Sequence, residues 1–144
     1  MVFANGATGI LRCINGNTGR LVWQKNILEE LSIPVAHDAS AVMYGRSNSP
    51  LVYDEVVVVP GGQAPEESSS AESNAALIAF NRETGERVWT GGSDQIAYAS
   101  PVLGELDGVR QVISVNESTV TGHDAESGNV LWSFEWGRPG SSAA

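Results

Sequence analysis

At 144 residues and 42% hydrophobic content the chain has the size and apolar fraction of one globular unit, which excludes disordered, collagen-like and disulfide-stapled classes. Seventeen acidic against eight basic residues give a formal charge of −9, which repels phosphate backbones and anionic lipid surfaces and argues against nucleic-acid or membrane-surface partners. Cys13 is the single cysteine, no stretch reaches the roughly 18 to 20 apolar residues of a membrane span, and the start "MVFANGATGI" has no secretory-signal pattern, so an exported protein would carry its signal outside these residues.

In chain order, Leu11, Cys13 and Asn15 alternate with Arg12 and Ile14, apolar on both faces, as in a strand of a sheet buried on both sides. "NGNTG" then predicts a hairpin corner: an Asx side chain bonds its own backbone, and Gly19 takes the positive φ of the bulge. The chain returns as strand-like "RLVWQ". Asn26 with Glu29 three residues on predicts a capped short helix whose apolar side is Ile27, Leu28 and Leu31. "AHDAS" reads as an extended polar loop, in which adjacent His37 and Asp38 point apart and form no catalytic dyad. "SPLV" at Ser49 and "VYDEVVVVP" read as strands, and "GGQAPEESSSAESNAA" as a solvated loop. Its Glu66, Glu67 and Glu72 lack the spacing that would wrap a calcium ion. Leu77 to Trp89 repeats the strand, corner and return; "SPVL" at Ser100 and "GVRQVISV" repeat the upstream strands; Val120 to Trp132 makes the third copy.

The three corners align on Gly19, Gly85 and Gly128, each with a tryptophan four residues later, Trp23, Trp89 and Trp132. The interval is 66 residues between the first two tryptophans and 43 between the last two, so one repeat of about 40 to 45 residues recurs with an insertion. A four-stranded antiparallel sheet per repeat, covered on both faces by its neighbours, is the architecture of radially stacked blades. The tryptophan is repeated because every blade fills the same gap against its neighbour, an indole over the corner glycine with its N–H on an acceptor.

The pattern A-x-D/N-x-x-T-G-x-x-x-W resembles the tryptophan-docking motif of PQQ-like, quinoprotein-type β-propeller repeats. It is carried by Ala79, Asn81, Thr84, Gly85 and Trp89 in full, by Cys13, Asn15, Thr18, Gly19 and Trp23 with Cys for Ala, and by Gly122, Asp124, Ser127, Gly128 and Trp132 with two small-residue swaps. The resemblance implies an all-β propeller segment of about three four-stranded antiparallel blades, the first incomplete. Blade 1 spans about 1–26, a linker 27–46, blade 2 about 47–92 and blade 3 about 97–136, with a tail at 137–144. Closed propellers use roughly 4 to 8 blades. The expected partners are therefore the other blades of a longer propeller, or further copies that close the ring by self-association, with a protein partner beyond these.

The resemblance also implies a periplasmic or extracytoplasmic setting. Members that are alcohol dehydrogenases hold pyrroloquinoline quinone over a tryptophan floor and under adjacent cysteines, with calcium on Glu and Asn and an Asp base. This sequence offers one cysteine and no match to those ligands. No catalytic, cofactor-binding or metal residue is assigned, no cofactor is expected, and a binding or assembly scaffold is the expected role. The alternative is a fragment of a PQQ-dependent dehydrogenase whose ligands lie outside this chain. A sugar-binding propeller would need a free tryptophan, and Trp136 is the one outside the motif. The candidate binding face is the loop set Asn5, His37, Asp38, Arg46, Asn48, Asp94, Gln95, Tyr98, Asn116 and Glu117, with Tyr98 as its aromatic anchor.

Overall fold

The computed structural model describes residues 1–63 and 74–136. Among them the elements run β1 (Val2–Asn5), β2 (Ile10–Ile14), β3 (Leu21–Asn26), α1 (Ile27–Glu30), α2 (Val35–Ala41), β4 (Leu51–Tyr53) and β5 (Val56–Pro60). Then come β6 (Leu77–Asn81), β7 (Arg87–Gly91), β8 (Val102–Leu106), β9 (Val109–Val115), β10 (Thr119–Asp124) and β11 (Val130–Glu135). They build a three-stranded sheet β1-β2-β3 and two four-stranded sheets, β4-β5-β6-β7 and β8-β9-β10-β11, with antiparallel neighbours throughout. The fold is an all-β array of three blades, the first one strand short. The acidic run Glu66, Glu67 and Glu72 and the tail 137–144 lie outside the described residues.

The three corners are built alike, from bonds that are local in sequence. Asn15 Oδ1 accepts from the backbone N–H groups of Asn17 and Thr18 at 3.0 Å each, and Asn81 Oδ1 does the same for Glu83 and Thr84 at 2.9 and 3.0 Å. Asp124 Oδ1 accepts from Glu126 and Ser127 at 3.1 and 2.8 Å, and from the Ser127 hydroxyl at 2.7 Å. That hydroxyl, then the Ser127 N–H, holds the Asp124 carboxyl below the usual carboxylate range. The three glycines sit at φ +70°, +73° and +75°, and each sheet carries a bulge at its corner, at Cys13/Ile14, Ala79/Phe80 and Gly122/His123.

Strand alternation gives each blade two faces. The face carrying the tryptophan meets the opposite face of the next blade, and each joint encloses one apolar cluster. Between blades 1 and 2 it holds Leu11, Val57, Val59, Ile78 and Phe80, with Trp23 and Phe3 at its margin. Between blades 2 and 3 it holds Tyr53, Val58, Leu77, Ala79, Trp89 and Val112. The residue paired across from each indole is small, Cys13, Ala79 or Gly122, which leaves room for the ring to lie down.

Trp23 lies over the corner of blade 2. A Cβ built on Gly85 would stand 2.9 Å from its Cδ2, and its Nε1 donates to the Arg82 carbonyl at 3.1 Å. Trp89 lies over Gly128 in the same way, with 2.7 Å from a built Cβ to Cδ2, yet its N–H has no partner. The equivalent carbonyl, that of Ala125, is taken at 2.6 Å by the Tyr53 hydroxyl. Burial pushes the Tyr53 phenol up to about 12, so it stays a donor there, and the expected acceptor for every indole holds at one joint only.

The segment expected as a linker is folded. Asn26 caps α1, accepting from Leu28 N–H at 3.1 Å and donating to Glu29 Oε1 at 2.9 Å, and Ile27, Leu28 and Leu31 are buried in the first cluster. "AHDAS" belongs to α2 and not to an extended loop; the one buried residue of that helix is Asp38.

Candidate binding face

In an antiparallel blade the loop joining the second and third strands opens at the same end as the connection to the next blade. Backbone bonds show these loops knitted together. Arg46 N–H donates to Ala7 O at 2.9 Å, Ile96 to Gly62 O at 3.1 Å, Asp94 to Asn74 O at 3.1 Å and Glu117 to Gln95 O at 3.0 Å.

The ten residues expected to present a polar surface gather at this end, and half of them turn inward. Asp38, Arg46, Asn48, Asp94 and Asn116 are buried. Arg46 is 1% exposed; its Nε and Nη2 donate to Asp38 Oδ1 at 3.0 and 2.6 Å, and its Nη1 to Gly61 O at 2.8 Å. Asn48 Nδ2 donates to the Ala97 and Ala99 carbonyls at 2.9 and 2.6 Å, tying the approach to β4 onto the approach to β8. A loop wedged between blades has backbone groups that water cannot reach, and these side chains serve them.

Asn5, at the end of β1, is partly buried with both amide atoms enclosed and unpaired. Gln95 Nε2 donates to Ala41 O at 3.3 Å, Glu117 is partly buried beside it, and His37 is exposed on α2. Tyr98 holds Tyr44 rather than standing free: its hydroxyl accepts from Tyr44 N–H at 3.3 Å, and the ring centroids are 5.8 Å apart.

The loop end also exposes large apolar side chains. Val35, Met43 and Tyr44 are 72%, 76% and 79% exposed and rim a cavity of about 530 Å³ that reaches down to Leu28. The sequence signal for it was "VMY" at 42–44 ahead of Gly45, a run of apolar residues hidden in the supposed linker.

Behind the surface runs a directed chain of hydrogen bonds. His123 Nδ1 lies 3.0 Å from the Gly128 carbonyl, which only accepts, so Nδ1 carries the proton and Nε2 accepts from Thr121 Oγ1 at 2.8 Å. Thr121 and Thr119 take the two amide protons of Asn116 at 3.1 and 3.2 Å, and Thr119 Oγ1 donates to Asp94 Oδ2 at 2.7 Å. Every proton has one consistent place. Burial pushes the His123 imidazolium pKa below its ordinary 6.5, against a smaller upward pull from the Gly128 carbonyl.

The native state therefore resists a proton that the unfolded chain accepts. Above about pH 6.5 the two states bind alike; as pH falls below it the unfolded state binds more, and stability declines by at most about 1.4 kcal/mol per pH unit. Urea unfolding at pH 7.5 and 5.5 should show a larger acid loss for the wild type than for His123→Gln, which keeps one donor and one acceptor without the titration. Equal losses would refute this role for His123.

Among the described residues no group of three or more His, Cys, Asp or Glu is placed to hold a metal ion, and no helix is long and apolar enough to cross a membrane. Three indoles lie against glycines, Trp23 on Gly85, Trp89 on Gly128 and Trp132 on Gly122, while Trp136 Nε1 donates to Asn116 O at 3.3 Å.

A family model described as outer membrane protein assembly factor BamB matches residues 1–144. Comparison with curated proteins finds no match. Among solved structures, BamB from Moraxella catarrhalis is similar at TM-score 0.61 and 19% identity, over 98% of this chain and 34% of that one. The quinohemoprotein alcohol dehydrogenase ADHIIG from Pseudomonas putida HK5 gives 0.63 at 18% identity, over 92% of this chain and 19% of that one. The quinohemoprotein alcohol dehydrogenase from Comamonas testosteroni gives 0.62 at 16% identity with the same coverage. The chain thus spans about a third or less of these proteins, and the likeness is one of fold. Three corners in one register, three antiparallel blades and a match over the full sequence place the chain in the PQQ-like β-propeller repeat family of BamB.

Proposed function

We propose that the chain is a non-catalytic binding and assembly scaffold, a segment of propeller that works outside the cytoplasm and presents its loop end to a protein partner. The observation that carries this reading is the inversion of polarity at that end. Its carboxylates Asp38 and Asp94 are buried and spoken for by hydrogen bonds, while the large apolar side chains Val35, Met43 and Tyr44 stand in water. A surface built this way offers apolar area to a partner and keeps those two carboxylates from a substrate. The net charge of −9 selects neutral or basic protein surfaces.

Met43→Ser with Tyr44→Ser removes the apolar rim without touching the buried pairs. On a defined peptide array the wild-type chain should retain apolar sequences flanked by Lys or Arg over acidic ones, and the double variant should lose that retention. The likeness to quinohemoprotein dehydrogenases supplies the opposing experiment. Adding pyrroloquinoline quinone with calcium should give no absorbance shift and no alcohol-dependent dye reduction; either signal would replace the scaffold reading with an enzyme fragment.

A further inference from the structure

His123, Thr121, Asn116, Thr119 and Asp94 form one unbroken row of hydrogen bonds that starts in the joint between blades 2 and 3 and ends in the loop before β8. At the joint the imidazole is sealed in. A Cβ built on Gly91 would stand 3.0 Å from its Nδ1, and one built on Gly92 2.8 Å from its Cε1. The Gly128 carbonyl accepts from Nδ1, Thr121 meets Nε2, and β9 and β11 pair His123 with Val112 and Val130. Asp124, next along the strand, is bonded to Glu126 and Ser127, and Arg110 of β9 to Asp54. Burial and the Gly128 carbonyl, and no charged side chain, set the imidazole's titration.

The row has a direction because its middle member faces both threonines with N–H. Asn116 is 1% exposed; its Nδ2 gives one proton to each threonine hydroxyl, and its Oδ1 accepts from the Ser114 hydroxyl at 2.8 Å. Each threonine therefore passes its own proton outward, Thr121 to Nε2 and Thr119 to Asp94 Oδ2. A proton taken from water at Nε2 turns that atom from acceptor to donor, and the Thr121 hydroxyl must then point its proton at Asn116. The two donors are reconciled when the Asn116 amide turns over. Oδ1 then accepts from both threonines, and Nδ2 faces Ser114, whose hydroxyl becomes an acceptor. The added proton stays on the imidazole, every other proton keeps its heavy atom, and the Thr119 hydroxyl no longer reaches Asp94.

Asp94 pins the loop before β8, because its carboxylate also takes the Ser118 N–H and hydroxyl at 3.2 and 3.0 Å and the Gln95 N–H at 2.7 Å. That loop braces the apolar rim: Gln95 Nε2 donates to Ala41 O, and the Tyr98 hydroxyl accepts from Tyr44 N–H. We propose that the row is a proton-operated switch, in which a proton at His123 turns over the Asn116 amide, withdraws Thr119 from Asp94 and loosens the brace under Met43 and Tyr44. That the rim is a docking surface rests on the reading above. The loop end is then competent to dock at neutral pH and released in acid.

His123→Gln removes the titration, and Thr121→Val keeps the imidazole and cuts the row. On the peptide array, retention of Lys- or Arg-flanked apolar sequences should fall about threefold more from pH 7.5 to pH 5.0 in the wild type than in either variant. His37, exposed on α2, is common to all three and cancels. Nitrogen-15 NMR reads the switch without any peptide. In the wild type the Asn116 side-chain N–H pair should shift along the imidazole titration; in Thr121→Val the imidazole should titrate and the pair stay still. Unchanged far-UV circular dichroism at both pH values confirms that the variants fold. An Asn116 pair that ignores the His123 titration in the wild type, or one pH ratio shared by all three proteins, would each overturn the switch. Peptides retained at neither pH would sink the scaffold reading and leave the switch to be decided by the Asn116 pair.

Discussion

Gly128→Ala should destabilise the protein by about 3 kcal/mol, while Gly19→Ala, the same change at the same turn position, should cost about 1 kcal/mol. Both glycines hold a left-handed conformation, φ +75° and +70°, so both variants carry the same backbone penalty. They differ in what lies above. The new methyl at position 128 lands on the Trp89 ring, 2.7 Å from Cδ2, and a packed joint cannot yield without opening the cluster of Val58, Leu77 and Val112. At position 19 the methyl enters open space. Chemical unfolding of both variants reads the difference directly. Equal losses would mean that the indole contributes no constraint and that the corner glycines are kept for their dihedral angle alone.

The corners were legible in the sequence because everything that makes them is local. An Asn or Asp side-chain oxygen reaches two N–H groups within three residues, a glycine follows at a fixed offset, and the indole four residues on returns along the next strand. The α1 cap was legible for the same reason, with Asn26 and Glu29 adjacent on one turn. Helix α2 was not, because it buries no apolar stripe: its one buried residue is Asp38, and its partner Arg46 lies beyond the helix, where no periodicity points to it. The ten candidate residues gather at one end of the blades, and half of them turn inward. Polar residue types suggested solvent, yet Asn48, Asp94 and Asn116 are needed inside to satisfy loop backbone and hydroxyls between blades, and the apolar Met43 and Tyr44 stand outside. Nor could three identical tryptophans announce that Tyr53, 36 residues before Trp89, takes the carbonyl the indole would use.

Arg46→Met should raise amide exchange in α2 about a hundredfold or more, while the denaturation midpoint of the sheets moves far less. The guanidinium is 1% exposed and gives four hydrogen bonds, two to Asp38 Oδ1 and one each to Gly61 O and Pro60 O. Removing it strands a buried carboxylate, at a cost of about 3 to 5 kcal/mol when nothing else can give. Here something can. Because α2 buries only Asp38, the cheaper response is for the helix to lift and hydrate that carboxylate, so the penalty appears as local opening. The reporter is the Val42 amide, which donates to the Asp38 carbonyl at 2.9 Å. Asp38→Leu combined with Arg46→Met replaces the pair by apolar groups of similar reach and should restore most of the protection. Val35 stands on α2, and Met43 and Tyr44 lie just beyond it, so the single variant should also lose peptide retention at the loop end and the double variant regain it. Protection that survives in the single variant would mean that α2 is held by contacts other than this pair.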